Sequence, residues 1–333
     1  MSIFSNDPIQ IIIFNSYGKN NKLRLQGRAL EDENIRLESN NKFRLILNSW
    51  KRFESDEIKH CKLKIILPTK EEIYTVTDKD GYFSLREECS DLKPYTDREG
   101  FLKVKMSYAE NPTESEILND NSFFGDMLIP DDTAEYGVIS DIDDTILDTG
   151  VVSLLKWKLL YNTFFRSPHK RKALEGTSAF YNKLHDGIAK DMRNPIFYVS
   201  HSPWNMYRYL ELFLTKNKFP KGAILLRTMK SIFFKSKEDL PEKHQEIIRI
   251  IQTYNHLQFV LIGDAGEYDA DIYIDVVTNF PDRIKAIFVR SVKHRKKMER
   301  IKTISTNFKE VPFFIVSTHQ EAIDFARQSG LIA

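Results

Sequence analysis

The sequence has very little cysteine. Its 333 residues include only Cys61 and Cys89, which lie far apart and form no Cys-x-x-Cys motif. A disulfide framework is therefore excluded, and the usage is typical of a reducing compartment. We expect a cytoplasmic protein.

The sequence also lacks a long apolar run and an excess of either charge. No run approaches the roughly 20 residues that a membrane-spanning helix needs. Residues 9–14 are apolar but few, and Asp7 precedes them, so they predict a strand and not a signal peptide. The formal net charge is +2, so no nucleic-acid partner is expected. Basic stretches at 169–172 and 293–297 are candidates for contact with anionic surfaces, although a solvated helix face is the commoner explanation of such runs.

Short alternating apolar segments, separated by turn residues, fill the first 110 positions. They are residues 9–14, 22–29, 43–47, 61–67, 73–77, 82–86 and 101–108. This pattern predicts an antiparallel β-sandwich over residues 1–110. Residues 75–85 resemble a hairpin of transthyretin-like sandwiches, and no glutamate follows where an EF-hand calcium loop would need one. The polar, turn-rich residues 111–134 are expected to form a linker.

From residue 135 the pattern changes to strands that alternate with helices. Strands are predicted at 137–141, 196–200, 223–226, 259–263, 284–289 and 313–316, and helices at 153–165, 178–186, 204–216, 243–254 and 320–329. Such alternation indicates an α/β domain with a parallel sheet and right-handed crossovers, here over residues 135–333. Residues 150–194, between the first two strands, are expected to form a small helical cap.

An acidic cluster follows the first of these strands. The apolar run enters Asp141-Ile142-Asp143-Asp144-Thr145. The carboxyl end of a parallel strand is where open α/β sheets bind ligands. Because like charges repel, the cluster needs a cation, and hard carboxylate oxygens suit Mg²⁺. One carboxylate can attack phosphorus while a second carries the proton, so the segment predicts a Mg²⁺-dependent phosphoryl-transfer enzyme. A helix N-cap with unrelated acids is the structural alternative.

Polar residues near later strand ends extend this pattern. Ser200 ends the second predicted strand, Lys243 begins the helix before the fourth, and Asp264 and Asp269 follow the fourth. This order resembles the haloacid dehalogenase superfamily of phosphotransferases. The resemblance implies a nucleophile at Asp141, a general acid and base at Asp143, phosphate-binding residues Thr145, Ser200, His201 and Lys243, and metal ligands Asp141, Asp143, Asp264 and Asp269. Lys230, Lys235 and Lys237 are rivals of Lys243, which we prefer because it begins the helix that leads into the fourth strand.

Two longer signatures narrow the resemblance. Residues 198–207 read Tyr-Val-Ser-His-Ser-Pro-Trp-Asn-Met-Tyr, and residues 263–269 read Gly-Asp-Ala-Gly-Glu-Tyr-Asp. They resemble the Tyr-Val-Ser-x-Ser-Pro-Trp-x-x-Tyr and Gly-Asp-Ser-Gly-Glu-x-Asp signatures of the actin-patch-associated phosphatidate phosphatase catalytic-domain family. The chain departs from that pattern at Ala265, where Ser is usual, and at His201, where Asn is commoner. Arg290 also fits the pattern.

The resemblance implies Mg²⁺-dependent hydrolysis of phosphatidate to diacylglycerol and phosphate through an aspartyl-phosphate. The residues themselves indicate a phosphomonoester hydrolase. Two alternatives remain open, namely a phosphatase for a soluble or macromolecular phosphomonoester, and an interaction scaffold with a relict site. A Ser/His/Asp hydrolase is disfavoured because the sequence has no Gly-x-Ser-x-Gly elbow. The sequence does not indicate a partner for the β-sandwich.

The insert combines aromatic residues with a basic tail. Trp157, Phe164 and Phe165 precede Arg166 and the basic residues 169–172. An amphipathic segment of this kind can lie on an anionic bilayer. A helix packed on its own domain is the alternative. We therefore expect a cytoplasmic enzyme with a peripheral contact at a membrane surface.

Overall fold

The structure is a computed structural model. It describes residues 7–32, 57–142, 145–146, 168–227, 241–266 and 268–333, and of residues 168–174 the backbone only. The chain divides into two compact units, Met1–Pro130 and Asp131–Ala333. In the described part of the chain, no helix has both the length and the apolar composition needed to cross a bilayer.

The described strands of the first unit form two sheets. The strands are β1 (Ile9–Phe14), β2 (Ser16–Tyr17), β3 (Lys22–Glu31), β4 (Lys62–Ile66), β5 (Glu72–Val76), β6 (Tyr82–Glu88), β7 (Phe101–Tyr108) and β8 (Phe123–Leu128). One sheet has the order β1-β3-β6 and the other β2-β8-β7-β4-β5. Pairing is antiparallel except between β2 and β8. These antiparallel strands confirm that part of the prediction, while predicted strand 43–47 lies outside the described residues.

Buried side chains from both sheets form one hydrophobic cluster, as alternating apolar residues lead us to expect. Strand β8 contributes Phe123 and Met127 to it, although the sequence analysis placed these residues in the linker. Its pattern is hard to detect because Gly125 and Asp126 interrupt the apolar run. The glycine is needed, since a Cβ at residue 125 would lie 2.3 Å from Ile13 Cγ2.

The second unit contains a parallel sheet flanked by helices. Its described strands are β9 (Gly137–Asp141), β10 (Ile196–Pro203), β11 (Ala223–Arg227), β12 (Phe259–Asp264), β13 (Ile284–Arg290) and β14 (Phe313–Val316). Its described helices are α1 (Pro168–Asp186), α2 (Tyr207–Lys216), α3 (Glu242–Thr253), α4 (Asp269–Asn279), α5 (Arg295–Asn307) and α6 (His319–Gln328). The sheet order is β11-β10-β9-β12-β13-β14, with parallel pairing throughout. The predicted α/β architecture with a parallel sheet is confirmed.

Strand β9 lies at the point where the chain changes direction across the sheet. It pairs with β10 on one side and with β12 on the other. Crossovers that leave β9 and β12 therefore run to opposite edges, and the carboxyl ends of these strands meet at the resulting crevice, the usual ligand position in open α/β sheets. Both strands are buried along their whole length, because helices cover both faces.

Helix α1 occupies part of the segment that the sequence analysis expected to be a cap. It buries Phe180, Tyr181 and Leu184. The ring centroids of Phe180 and Phe288 in β13 are 5.6 Å apart, so this helix packs on the sheet. The rest of the expected cap, residues 150–167, including Trp157, Phe164, Phe165 and Arg166, lies outside the described residues.

Candidate active site

Three buried carboxylates meet at the carboxyl edge of the parallel sheet. Asp141 ends β9, Asp264 ends β12 and Asp269 begins α4. All three residues are fully buried. Each offers a carboxylate oxygen, and these oxygens lie within 4.8 Å of one another. The structure thus brings together three of the four acids that the sequence analysis assigned to a metal site, and the fourth, Asp143, lies outside the described residues.

Lys243 enters this cluster from helix α3. Its Nζ donates a hydrogen bond of 2.7 Å to Asp141 Oδ1 and another to Asp269 Oδ1. Burial alone would lower the pKa of Lys243, but the charges of Asp141 and Asp269 and the hydrogen bonds to them raise it above its ordinary value. The side chain is therefore an ammonium at neutral pH, and it offsets part of the negative charge of the acids.

The loop after β12 positions the two later acids. The backbone N–H of Asp264 donates to Asp269 Oδ2 at 3.2 Å, and that of Gly266 donates to Asp264 Oδ1. A Cβ at residue 263 would lie 2.5 Å from Asp269 Oδ2, so only glycine lets this carboxylate approach the strand. The methyl group of Ala265, where the family signature has Ser, is buried. The loop therefore aims both carboxylates at the crevice through backbone contacts.

Ser200 lies on the strand next to Asp141. Val199 pairs with Asp141 across β10 and β9, so Ser200 is one residue beyond the level of the acid. It is buried, and its Oγ accepts a hydrogen bond of 2.9 Å from the backbone N–H of Ser202. Strand β10 continues to Pro203, with an irregular register after Val199, and the half-buried His201 lies in this extension.

Thr145 also lies near this edge of the sheet. Its side chain is buried, and Oγ1 has no hydrogen-bond partner in the described part of the structure. Its carbonyl oxygen accepts a hydrogen bond of 3.2 Å from Arg290 Nη1. Arg290 ends β13 and pairs with Asp264 in the sheet register, so the two residues are neighbours at the carboxyl edge. The sequence analysis noted Arg290 without giving it a role, although its position at a strand end is the signal that locates it.

Tyr181 contacts the residue that precedes Asp141, the candidate nucleophile. Its Oη lies 2.5 Å from Ser140 Oγ, and Ser140 directly precedes Asp141. Ser140 Oγ also donates to the carbonyl oxygen of Asp141 at 2.8 Å. Burial raises the pKa of Tyr181, so the hydroxyl group stays protonated. No local sequence pattern marks this contact, because it depends on how α1 packs against β9.

The acid cluster fits a hard divalent cation. Buried carboxylates are stable only when they are paired with cations or coordinate a metal. Lys243 supplies one positive charge to three acids, whose closely spaced oxygens are the ligand type that Mg²⁺ and similar ions prefer. These three residues could therefore hold a divalent cation.

Comparison with known proteins agrees with this geometry. Residues 136–291 match the family model described as "Phosphatidate phosphatase APP1, catalytic domain". The chain is 31% identical over 216 residues to phosphatidate phosphatase APP1 of Saccharomyces cerevisiae. The aligned region covers 62% of this chain and 36% of the yeast protein. It is 26% identical over 223 residues to an uncharacterized protein of Schizosaccharomyces pombe, which covers 66% of this chain and 35% of that protein.

These relatives are much longer than the chain, which spans little more than a third of their length. The matched family segment includes Asp141, Lys243, Asp264 and Asp269, which converge at the crevice. It also contains the two signatures at 198–207 and 263–269. Residues 136–291 are therefore similar to the catalytic domains of the phosphatidate phosphatase APP1 family.

Proposed function

We propose that this chain hydrolyses phosphatidate to diacylglycerol and phosphate, with a divalent cation as cofactor. The observation that carries the proposal is the convergence of Asp141, Lys243, Asp264 and Asp269 at one end of the sheet. An anionic phosphate ester requires positive charge at the site. The acid cluster would bind a cation there, and Lys243 adds a second positive charge. The yeast relative, which is named a phosphatidate phosphatase, supports the choice of substrate.

The order of these residues on a parallel sheet supports a haloacid-dehalogenase-like fold for the second unit. The antiparallel sheets and shared core of the first unit support a β-sandwich of the transthyretin type. In this proposal Asp141 attacks phosphorus, the bond from phosphorus to the ester oxygen breaks, and Asp143 gives its proton to the leaving alkoxide. Water then attacks phosphorus, Asp143 accepts its proton, and the bond to Asp141 breaks to release phosphate. The role of Asp143 rests on the sequence, since this residue lies outside the described ranges.

The cation would be held by Asp141, Asp264 and Asp269, and we propose that it is Mg²⁺. When bound, it supplies positive charge at the phosphoryl oxygens. Lys243 orients Asp141 through the 2.7 Å hydrogen bond and is near enough to bind a phosphoryl oxygen as well. Ser200 and Thr145 are buried hydroxyl groups near the same edge, which supports their proposed role in phosphate binding, as does the position of His201 directly after Ser200.

We further propose a peripheral contact between the enzyme and an anionic membrane, inside the cytoplasm. Both cysteines are free, which supports a reducing compartment. Tyr268, in the loop between β12 and α4, is 75% exposed. Helix α5 follows β13 and begins with exposed basic residues, and Lys297 Nζ donates to the carbonyl oxygen of Gly266 in that loop. The basic side chains of such a helix attract anionic headgroups, and an exposed ring beside them can enter the membrane interface.

A substrate panel tests the proposal. Phosphate release should be measured with phosphatidate in mixed micelles and with soluble phosphomonoesters, each with Mg²⁺ and with EDTA. Mg²⁺-dependent release that favours phosphatidate supports the assignment. Release from soluble esters alone would favour the first alternative, a phosphatase for soluble substrates, and no release from any ester would favour a scaffold.

A further inference from the structure

A cavity of about 320 Å³ lies beside the acid cluster, on one face of the parallel sheet. It is lined by residues of helices α1 and α6 and of strands β12, β13 and β14, and it is partly open to solvent. Its volume is at the lower end of the range found for small-molecule pockets. Of the residues that the proposed reaction uses, only Thr145 lines this cavity.

The floor of the cavity lies on the face of the sheet that Asp264 shares, while Asp141 points to the other face, because it follows Ser140, the partner of Ile262. Ile262 and Phe288 line the floor and pair with each other across β12 and β13. Two residues further along, which is about 6.6 Å at the usual rise per residue, Asp264 pairs with Arg290. Because residues two apart on a strand share a face, the cavity begins beside Asp264 and Arg290 at the carboxyl edge, where the acids of both faces meet, and extends into the layer between sheet and helices.

The lining changes from polar to apolar along this direction. Thr145 and Arg290 line the cavity near the carboxyl edge, and Thr145 Oγ1 is the buried hydroxyl that has no hydrogen-bond partner in the described part of the chain. Deeper in the layer the walls are Ile262, Phe180 and Phe288. A ligand with a polar group at the edge and an apolar tail would match this gradient.

The room for the cavity comes from small residues on the two helices. Ala322 lines it from α6, and Thr177 lines it from α1. Close helix contact is set nearby, where a Cβ at Gly176 would lie 2.4 Å from the ring of His319. The two helices are therefore held together at the mouth of the cavity, while the wall behind it carries short side chains.

We propose that this cavity binds the first part of an acyl chain of the phosphorylated substrate. The inference rests on the proposed function, since it places the phosphate at Asp141 and the ester end of the glycerol unit near Thr145 and Arg290. The chain would then run over Ile262 and Phe288. Burial of each methylene group there favours a lipid phosphate over a soluble phosphomonoester.

The experiment compares phosphatidates that carry two-carbon and eight-carbon acyl groups, both below their micellar concentrations. The measured quantity is the ratio of kcat/KM for the long substrate to that for the short one. Ala322→Leu adds side-chain volume to the cavity, and exclusion of about two methylene groups should lower the ratio at least about tenfold. Gln328→Leu introduces the same side chain on an exposed part of the same helix, outside the cavity lining, and should leave the ratio at the wild-type value.

A second variant tests the inference if Ala322→Leu misfolds, and a binding measurement tests it if the wild type is inactive. Thr177→Leu fills the cavity from the opposite helix and should lower the ratio in the same direction. If the wild type turns over neither substrate, the proposed function fails, and titration calorimetry with the long phosphatidate still tests the cavity through weaker binding to Ala322→Leu. An unchanged ratio, or unchanged binding, in both folded variants would overturn the inference while leaving phosphatase activity intact.

Discussion

Lys243 Nζ lies 2.7 Å from Asp141 Oδ1, although 102 positions separate the two residues in the chain. The crossover through α3 brings them together, because this helix begins beside the carboxyl ends of β10 and β9 and leads back to β12. The same ammonium group also binds Asp269. The buried ammonium group of Lys243 thus joins Asp141, at the end of β9, to Asp269, at the start of α4.

Replacement of Lys243 by methionine should damage both stability and catalysis. Loss of one partner from a buried ion pair leaves uncompensated charge and typically costs about 3–5 kcal/mol of unfolding free energy. The kcat for phosphate release should fall at least about a hundredfold, as when one positioned charge-stabilising donor is lost. Chemical denaturation with and without Mg²⁺ measures the first effect, and the ion should recover part of the lost stability by neutralising Asp141 and Asp269. Equal midpoints for wild type and variant would contradict this account of the ion pair.

Substitution of Asp269 by asparagine should weaken binding of the metal ion. We expect the Mg²⁺ dissociation constant, measured by calorimetry or by the ion-induced shift in Tm, to rise at least about tenfold. Asp271→Asn is the matched control, since Asp271 lies two residues further along α4, is only half-buried and pairs with Arg300. A metal affinity that changes equally in both variants would remove Asp269 from the proposed ligand set.

The Gly263→Ala variant tests the loop geometry without changing a charged group. The new Cβ would lie 2.5 Å from Asp269 Oδ2 and must displace that carboxylate. We expect metal affinity to fall about 10- to 100-fold, the usual cost when groups that orient a ligand are disturbed. The far-ultraviolet circular dichroism should stay that of the wild type. Wild-type metal binding in this variant would show that Asp269 tolerates the displacement or is no ligand.

The two cysteines should differ in reactivity toward a thiol reagent at pH 8. Burial raises the pKa of both thiols, but only 5% of Cys61 is exposed, whereas Cys89 is half-buried. Cys61 should react at least about tenfold more slowly than Cys89 in the native protein, because only the accessible thiolate reacts. Cys89→Ser should therefore remove the fast phase, and denaturant should expose the remaining thiol. A fast phase that persists in Cys89→Ser would mean that the core around Cys61 opens readily.

The proposed membrane contact should depend on salt and on the basic residues in and just before α5. Neutralising the exposed Lys293, Lys296 and Lys302 to glutamine should weaken binding to phosphatidate-containing vesicles about 100-fold, at about 1 kcal/mol per basic residue. Wild-type binding should weaken in high salt, since screening shortens the field. The control neutralises three exposed lysines of the first unit, Lys59, Lys70 and Lys79. Equal loss of vesicle binding in the two triple variants would show that α5 has no special role.

Sequence patterns predict the parallel strands well because each is an apolar run bounded by turn residues, and the central strands are buried along their whole length. Strand β9 has the predicted bounds, and β12 ends one residue later than expected. Helix α5 was not predicted, because of its described residues only Ile301 is buried and the amphipathic signal is weak. Helix α4 was also missed, since its acidic first turn was interpreted only as a metal motif.

Part of the candidate site can also be predicted from the sequence, and part of it cannot. Acids at strand ends can be predicted, because parallel strands bring their carboxyl ends to one edge. The choice of Lys243 among several lysines depended on its position at the start of a helix, and the structure places it beside Asp141. The contact between Tyr181 and Ser140 and the cavity at Ala322 arise from packing between distant segments, for which the sequence carries no local pattern. Asp143 stays a prediction.

We propose that Asp141 is the nucleophile of a phosphatidate phosphatase. The most direct measurement is phosphate release from phosphatidate by wild type and by Asp141→Asn, with Mg²⁺ present and with intact folding confirmed by Tm. The account predicts Mg²⁺-dependent release by the wild type and a loss of at least about a thousandfold in the variant, as is usual when a nucleophile is removed. Turnover by Asp141→Asn at the wild-type rate would contradict it.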